Sequence, residues 1–139
     1  MIILDTNVIS EFMTSPPAAS VLNWLNAQDA ATLYMTTISI AEISYGLEAL
    51  PDGKRRRLLT ERFEQFMTLA FSARILPFDE KAAKLYGKIM ADRRKMGRPM
   101  SSPDGQIAAI ARAHGFAVAT RNVKDFADCQ IELINPFKR

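Results

Sequence analysis

The chain opens with Met1-Ile2-Ile3-Leu4-Asp5, four apolar residues followed directly by an acid. A continuous apolar run predicts a strand that is buried on both faces, as in a parallel sheet. Asp5 would stand at the carboxyl end of that strand, where a buried carboxylate needs a partner or a cation. Thr6 or Asn7 could also cap a helix that begins near Val8, which is the purely structural explanation. We expect Asp5 to mark a functional site.

Short apolar runs alternate with amphipathic segments along the rest of the chain. Further strands are predicted at 33–36, 74–76, 116–119 and 131–134. Helices are predicted at 8–13, 18–27, from 39 to the break at 51–53, and at 54–71, 79–96 and 102–114. This alternation predicts an α/β fold, an α/β/α sandwich with a mainly parallel central sheet and right-handed crossovers. A length of 139 residues predicts one domain over 1–139.

The composition fits a globular protein that acts in a reducing compartment. Hydrophobic residues make up 48% of the chain, which is ample material for a core, and the apolar runs are too short to span a bilayer. The N-terminus lacks the pattern of a secretory signal, and the single Cys129 cannot form an intrachain disulfide. We therefore expect a cytoplasmic protein with no membrane association.

The net charge of +3 is small, but the basic residues are clustered. One cluster is Lys54-Arg55-Arg56-Arg57, and another is Arg93-Arg94-Lys95 with Arg98. If these clusters flank an acidic site, they could guide a polyanion toward it. They could equally be solvated helix faces.

Two more acids fall at the same edge of the predicted sheet as Asp5. Glu42 could simply complete a capping box that begins at Ser39. Asp104 could simply be the second residue of a helix capped by Ser102. Capping explains each acid separately, but it leaves their coincidence at the carboxyl edge unexplained. Three carboxylates at one edge repel one another unless a hard cation such as Mg²⁺ or Mn²⁺ binds them, so we predict that Asp5, Glu42 and Asp104 are metal ligands.

A neutral residue occupies the fourth position of the predicted site. Asn122 follows the strand at 116–119, and its side-chain oxygen can ligate a hard cation or bind a water molecule. We predict Asn122 to be a peripheral member of the site, and we leave open whether Asp125 reaches it. Arg121 could contact substrate phosphate. Glu11 is expected to pair with a basic residue such as Arg112.

Four segments together resemble the PIN-domain family, and more narrowly the VapC and FitB toxins of bacterial toxin–antitoxin systems. They are Leu4-Asp5-Thr6-Asn7-Val8-Ile9-Ser10, Ser39-Ile40-Ala41-Glu42, Asp104 to Ala111, and Ala119-Thr120-Arg121-Asn122 with Asp125-Phe126. The likeness extends over essentially the whole chain. No single motif is decisive, but their order and spacing are specific.

This resemblance implies a Mg²⁺- or Mn²⁺-dependent endoribonuclease whose ligands match Asp5, Glu42 and Asp104, in a PIN-like α/β/α sandwich. Metal-activated water would then hydrolyse RNA, with a carboxylate such as Glu42 accepting a proton. The family usually has an acid where this chain has Asn122, so one metal and two metals both stay open. The resemblance also implies a homodimer and a small cognate antitoxin, with operator DNA bound only through that antitoxin.

Two other functions remain open at this point. A catalytically weak or silent PIN-domain protein could act through antitoxin or nucleic-acid binding, with Asn122 marking a decayed site. An aspartyl phosphotransferase would use Asp5 as nucleophile, but it normally needs a second acid where Asn7 stands. The apolar stripe of the helix at 54–71 could be core, or it could line a groove for an antitoxin; its members are Leu58, Leu59, Phe63, Phe66, Met67 and Ala70.

Overall fold

The computed structural model of the chain describes residues 1–13 and 16–138. Within these residues, five strands form one sheet in the order β3-β2-β1-β4-β5, and every neighbouring pair is parallel. The strands are β1 (Ile2–Leu4), β2 (Leu33–Thr36), β3 (Ile75–Leu76), β4 (Ala117–Ala119) and β5 (Leu133–Ile134). The predicted parallel α/β fold is confirmed.

Six α-helices in the described residues flank this sheet. They are α1 (Thr6–Met13), α2 (Ala19–Asn26), α3 (Thr37–Glu48), α4 (Lys54–Phe71), α5 (Glu80–Lys95) and α6 (Ser102–His114). Two short 3₁₀ helices span Ala30–Thr32 and Val123–Phe126. Over residues 1–13 and 16–138, no helix combines the length and the apolar character needed to cross a membrane.

The sheet separates two hydrophobic layers because successive residues of each central strand face opposite sides. Ile3 of β1 and Val118 of β4 pack with α5 and α6, in a layer that also holds Cys129. Leu4 and the next β4 residue pack on the other face with α1, α3 and α4, in a layer that includes the partly buried Trp24. We call these the α5–α6 layer and the α1–α4 layer.

The order of the strands fixes where a ligand can enter. From β1 the chain proceeds through β2 to β3 on one side, and it then crosses over to β4 and β5 on the other. The order therefore reverses between β1 and β4, whose carboxyl ends are Leu4 and Ala119. In open parallel sheets, crevices for ligands form outside the carboxyl ends of the strands at such a point.

A glycine lets α5 and α6 approach closely beside this edge. Gly105 is buried, and a Cβ at this position would lie 2.4 Å from Sδ of Met90 and 3.0 Å from the ring of Tyr86. Real Cβ atoms essentially never lie 2.4 Å from another atom, so a side chain at this position would require Met90 to move. Asp104 immediately precedes Gly105 in the first turn of α6, so this close packing also constrains the position of the Asp104 backbone.

The predicted ends of several elements are confirmed. Asp79 caps α5, its Oδ1 accepting the N–H of Ala82 at 3.0 Å. Gly97 and Gly115 follow the ends of α5 and α6 with φ of +72° and +70°, a left-handed conformation that favours glycine.

Three predicted helix caps are wrong. α1 begins at Thr6, not near Val8, so neither Thr6 nor Asn7 is its cap. α3 is capped by Thr36, the last residue of β2, because its side chain accepts the N–H of Ser39 at 3.2 Å. α6 is capped by Ser101 and not by Ser102. α1 and α3 start closer to the preceding strand than the capping patterns indicated, whereas α6 begins at Ser102 as predicted.

Candidate active site

Asp5 lies at the carboxyl end of β1 with only 4% of its surface exposed. Its Oδ1 accepts the backbone N–H of Thr6 at 2.8 Å, and its Oδ2 accepts the hydroxyl of Thr120 at 2.8 Å. Its own N–H donates to the carbonyl of Ala119, which extends the pairing of β1 with β4. The carboxylate is therefore held in one orientation at the reversal point of the sheet.

Burial raises the pKa of Asp5 from its ordinary value of 3.8 to about 6. The hydrogen bonds from Thr120 and Thr6 lower this pKa, and the negative charges of Asp104 and Glu42 raise it. Two other acids are therefore close enough to act electrostatically on Asp5. A cation in the cleft would offset both the cost of burying the Asp5 charge and its repulsion by the other two carboxylates.

Glu42 lies on the exposed side of α3, and its contacts exclude the predicted capping box. Its Oε1 accepts the hydroxyl of Thr6 at 2.7 Å, and the same hydroxyl lies 2.8 Å from Oγ of Ser39. Because Thr36 caps α3, Glu42 has no role in closing the first turn. The capping explanation for Glu42 is thus wrong, and its carboxylate faces the start of α1.

Asp104 is half-buried in the first turn of α6. Its N–H donates to Oγ of Ser101 at 3.3 Å, as expected of a capped helix start. Burial raises the pKa of its carboxyl group, a hydrogen bond from Ser101 lowers it, and the charges of Asp125 and Glu42 raise it further. Asp104 is thus both a residue of the capped first turn and a member of the acidic group.

Thr120 organises the segment that follows β4. Its fully buried hydroxyl donates to Asp5 and accepts the N–H of Asn122 at 3.0 Å. Nδ2 of Asn7 lies 3.4 Å from the same oxygen, and Oδ1 of Asn7 accepts the N–H of Arg121 at 3.2 Å. One hydroxyl therefore links the ends of β1 and β4.

Arg121 is exposed and fixed by two contacts. Its guanidinium lies 3.9 Å from the ring centroid of Phe137, a cation–π arrangement, and 3.4 Å from Oε1 of Glu11. The predicted pairing of Glu11 with a basic residue is confirmed, but the partner is Arg121 rather than Arg112. Oε2 of Glu11 also accepts the N–H of Ala18 at 2.8 Å. The partner of Glu11 lies after β4 because the reversal point brings α1 and this segment together.

All four residues predicted for the site line one open cleft, which we call the acidic cleft. The cleft has a volume of about 510 Å³. Its lining residues are Asp5, Thr6, Asn7, Ser10, Glu11, Glu42, Asp104, Arg121 and Asn122. Asp125 is not among them, although its charge acts on Asp104.

The oxygen donors of the cleft fit a hard divalent cation in kind, but they are not gathered around a point. Over residues 1–13 and 16–138, no three histidine, cysteine, aspartate or glutamate side chains are arranged to hold a metal ion as they stand. Oxygens of Asp5 and Glu42 instead accept threonine hydroxyls.

A second concavity adjoins the cleft, and we call it the α3–α4 groove. Its volume is about 590 Å³, and it shares Thr6, Ser10 and Glu42 with the cleft. Apolar side chains of Ile43, Leu47, Leu58 and Leu59 line it, together with the guanidinium-bearing Arg55 and Arg62. Within the predicted stripe of α4, Phe63, Phe66, Met67 and Ala70 pack in the core instead.

Sequence reasoning missed two hydroxyl residues of the site. Thr120 and Ser39 are both fully buried. Thr120 bonds directly to Asp5, and Ser39 contacts Thr6, which bonds to Glu42. A threonine at the end of a strand is common, so its type alone gives no signal. Its position directly after β4, opposite an acid directly after β1, is the signal that could have identified Thr120.

Comparison with known proteins gives concordant results. The family model described as PIN domain matches residues 2–130. A curated relative, VapC ribonuclease Y4jK of Sinorhizobium fredii, is 44% identical over 138 residues, covering 99% of each chain. Toxin FitB of Neisseria gonorrhoeae is 39% identical over 137 residues, again covering 99% of each chain.

A solved structure agrees with both relatives. The structure of FitAB bound to an IR36 DNA fragment superposes with a TM-score of 0.93 at 38% identity, covering 100% of this chain and 97% of that one. Sequence, fold and the placement of the predicted residues thus lead to one conclusion: the chain belongs to the PIN-domain family.

Proposed function

We propose that the chain is a Mg²⁺- or Mn²⁺-dependent endoribonuclease and the toxin of a toxin–antitoxin pair, acting in the cytoplasm as a single PIN-like domain. The observation that carries this proposal is the convergence of Asp5, Glu42 and Asp104 on one cleft at the reversal point of the sheet. Relatives named VapC ribonuclease and Toxin FitB support it. A phosphotransferase with Asp5 as nucleophile is disfavoured, since Asn7 stands where that chemistry normally needs a second acid.

Asp5, Glu42 and Asp104 would hold the metal in this proposal. A bound Mg²⁺ or Mn²⁺ would supply positive charge to the phosphodiester and increase the acidity of a water molecule. Asp5 needs little movement, because Thr6 and Thr120 already orient it. Glu42 is exposed on α3, so its carboxylate can turn toward Asp5 without disturbing the core. The same exposure suits Glu42 to accept a proton from water.

The remaining polar residues of the cleft would bind RNA. The exposed guanidinium of Arg121 carries hydrogen-bond donors that suit a phosphate group. If Arg121 released Glu11 and bound a phosphate instead, the charge of Arg121 would remain compensated. Asn122 would position water or a phosphate oxygen with its amide group. A neutral residue at this position reduces the negative charge of the cleft, which eases the approach of a polyanion.

We further propose that the α3–α4 groove binds a segment of a small cognate antitoxin. The solved structure of FitAB bound to a DNA fragment supports such a partner. The apolar walls of the groove suit the apolar face of a peptide, and Arg55 and Arg62 suit acidic residues beside that face. Because the groove shares Glu42 with the cleft, a bound segment would also obstruct RNA. The toxin would form a homodimer and reach operator DNA only through the antitoxin.

The decisive experiment uses the purified chain, free of any partner, with total RNA and transfer RNA as substrates. Cleavage is compared in Mg²⁺, Mn²⁺ and EDTA for the wild type and for Asp5→Asn and Asp104→Asn. We expect metal-dependent cleavage that falls about a thousandfold in either variant, because metal charge stabilisation contributes several kcal/mol and each 1.36 kcal/mol is a factor of ten. Asp52→Asn, in the exposed turn before α4, is the matched control and should cleave normally.

The same experiment separates the two candidate functions. Intact RNA in every condition, from a protein that is folded and binds Mn²⁺, would favour the catalytically silent protein that acts through its partner. Cleavage that survives in both Asp5→Asn and Asp104→Asn would contradict the proposed site. If Asn122→Asp cleaves RNA faster than the wild type does, Asn122 limits the rate of the wild type.

A further inference from the structure

Arg93 is the one residue of its basic cluster that is buried in the described structure. Only 4% of its surface is exposed, whereas Arg94 and Lys95 beside it are exposed on the last turn of α5. The sequence predicted this cluster to be a guide for a polyanion or a solvated helix face, and Arg93 is neither. A buried guanidinium requires compensation by hydrogen bonds or opposite charge.

The compensation comes from backbone carbonyl groups. Nε of Arg93 donates to the carbonyl of Arg98 at 2.7 Å. One terminal nitrogen donates to the carbonyls of Asp125 at 3.1 Å and Ala127 at 2.7 Å, and it lies 3.9 Å from Sγ of Cys129. Among residues 1–13 and 16–138, no carboxylate forms a salt bridge with it. Arg93 thus binds backbone carbonyl groups of residues that lie outside the strands of the sheet.

Two of these carbonyls, those of Asp125 and Ala127, belong to the segment 121–131, which lies between β4 and β5. Asp128 and Gln130 have φ of 62° and 60°, a conformation that residues with a side chain rarely adopt, so the surroundings must hold the segment in shape. Arg98, whose carbonyl Arg93 binds, also forms a salt bridge with Asp128 at 2.8 Å. Two arginines therefore fix the segment from the side of α5.

The segment begins in the acidic cleft. The N–H of Asp125 donates to the carbonyl of Asn122 at 2.9 Å, and the N–H of Asn122 donates to Thr120, which orients Asp5. A chain of hydrogen bonds thus connects Arg93 to the carboxylate at the end of β1. The charge of Arg93 also acts on Asp104.

We propose that Arg93 is a positioning residue of the acidic cleft, which holds the segment after β4 so that Asn122 and Thr120 keep their places beside Asp5. The proposal rests on the proposed nuclease function for its effect on rate, but not for its effect on structure. Arg93 does not line the acidic cleft. Its effect on catalysis would be exerted through the backbone of Asp125 and Ala127.

The test compares Arg93→Met, Arg93→Lys and Arg94→Met in the full chain. Hydrogen–deuterium exchange is measured for amides 121–130, and kcat and KM are measured separately on RNA. We expect Arg93→Met to increase exchange selectively in 121–130 and to lower kcat about tenfold or more, with KM changed less than threefold. Lysine lacks the forked donors of arginine, so Arg93→Lys should recover only part of both quantities. Arg94→Met should resemble the wild type.

Four outcomes distinguish the alternatives. Unchanged exchange in 121–130 for a folded Arg93→Met would overturn the proposal. Increased exchange with unchanged kcat would overturn it too, since Arg93 would then be structural only. If Arg93→Met fails to fold, the same two criteria apply to Arg93→Lys. If the wild type cleaves no RNA, the nuclease proposal fails, and protection of 121–130 that depends on Arg93 still supports its hold on the segment.

Discussion

The acidic cleft and the α3–α4 groove share three residues, yet they differ in the side chain that is unfavourably placed. In the cleft a carboxyl group is buried, and in the groove an apolar side chain is exposed. The cleft buries the carboxyl group of Asp5, which is 4% exposed, at the end of a hydrophobic strand. The groove leaves Leu58, which is 45% exposed, on the surface of an amphipathic helix. A cation would compensate the first arrangement and an apolar chain the second. The two regions are therefore suited to different ligands, although they adjoin.

Within this comparison, the largest effect should be the dependence of stability on pH that Asp5 causes. Its pKa is raised by burial to about 6 in the folded protein, so the folded state holds a proton that the unfolded chain releases near 3.8. The contribution of Asp5 to the free energy of unfolding is largest below about pH 4, and it is lost as the pH rises through about 6. At 1.36 kcal/mol per tenfold change in affinity, the loss is about 3 kcal/mol. Urea unfolding in EDTA between pH 4 and 7.5 measures it.

Asp5→Asn is the reference for this measurement, because other carboxyl groups, including Asp104, also titrate in the range. The asparagine oxygen can still accept the hydroxyl of Thr120, while the charge is absent. The free energy of unfolding of the wild type should therefore fall by about 3 kcal/mol relative to the variant over this range. Parallel curves for the two proteins would mean that Asp5 is solvated rather than buried.

The groove should respond to a different change. Leu58→Asp places a charge in the apolar wall, and we expect it to weaken antitoxin binding by about a hundredfold, comparable to loss of a binding hot spot. RNA cleavage without antitoxin should be unaffected. Leu69→Asp is the matched control, since Leu69 lies on the same helix, is 84% exposed and does not line the groove. Calorimetry with the cognate antitoxin measures both, and equal affinities would place the partner elsewhere.

The smallest effect should come from the link between the two strand ends. Thr120→Val keeps the shape of the side chain but removes the hydroxyl that orients Asp5. Loss of a residue that orients a ligand typically costs 10–100-fold, and we expect about tenfold in kcat because Thr6 still holds the other oxygen. Thr68→Val, on the exposed face of α4, controls for the substitution itself. A rate equal to that of the wild type would show that Thr120 does not matter for Asp5.

Much of the fold and part of the site could be predicted from local patterns. The run before Asp5 predicts a buried strand, and Ile3 and Leu4 are fully buried in β1, although Met1 precedes the strand and is 58% exposed. Glu42 was placed correctly, but its capping explanation was wrong because Thr36, at the end of β2, competes for the same backbone groups. The predicted catalytic roles of Asp5, Glu42, Asp104 and Asn122 stay predictions until activity is measured.

Other features could not be predicted because they depend on how distant segments pack. The burial of Arg93 depends on the path of the segment after β4, which lies about 30 residues away in sequence. The α3–α4 groove depends on which part of the α4 stripe faces the core, and periodicity does not distinguish Leu58 from Phe63. The pairing of Glu11 with Arg121 likewise follows from the order of the strands.

The two hydrophobic layers on either side of the sheet have a practical consequence for the study of folding. The chain has one tryptophan and one cysteine, and they lie in different layers: Trp24 in the α1–α4 layer and the buried Cys129 in the α5–α6 layer. Tryptophan fluorescence and thiol reactivity therefore report on the two halves of the molecule without any label being introduced. Coincident unfolding curves from both probes would indicate a single cooperative unit, whereas separate midpoints would reveal an intermediate with one layer intact.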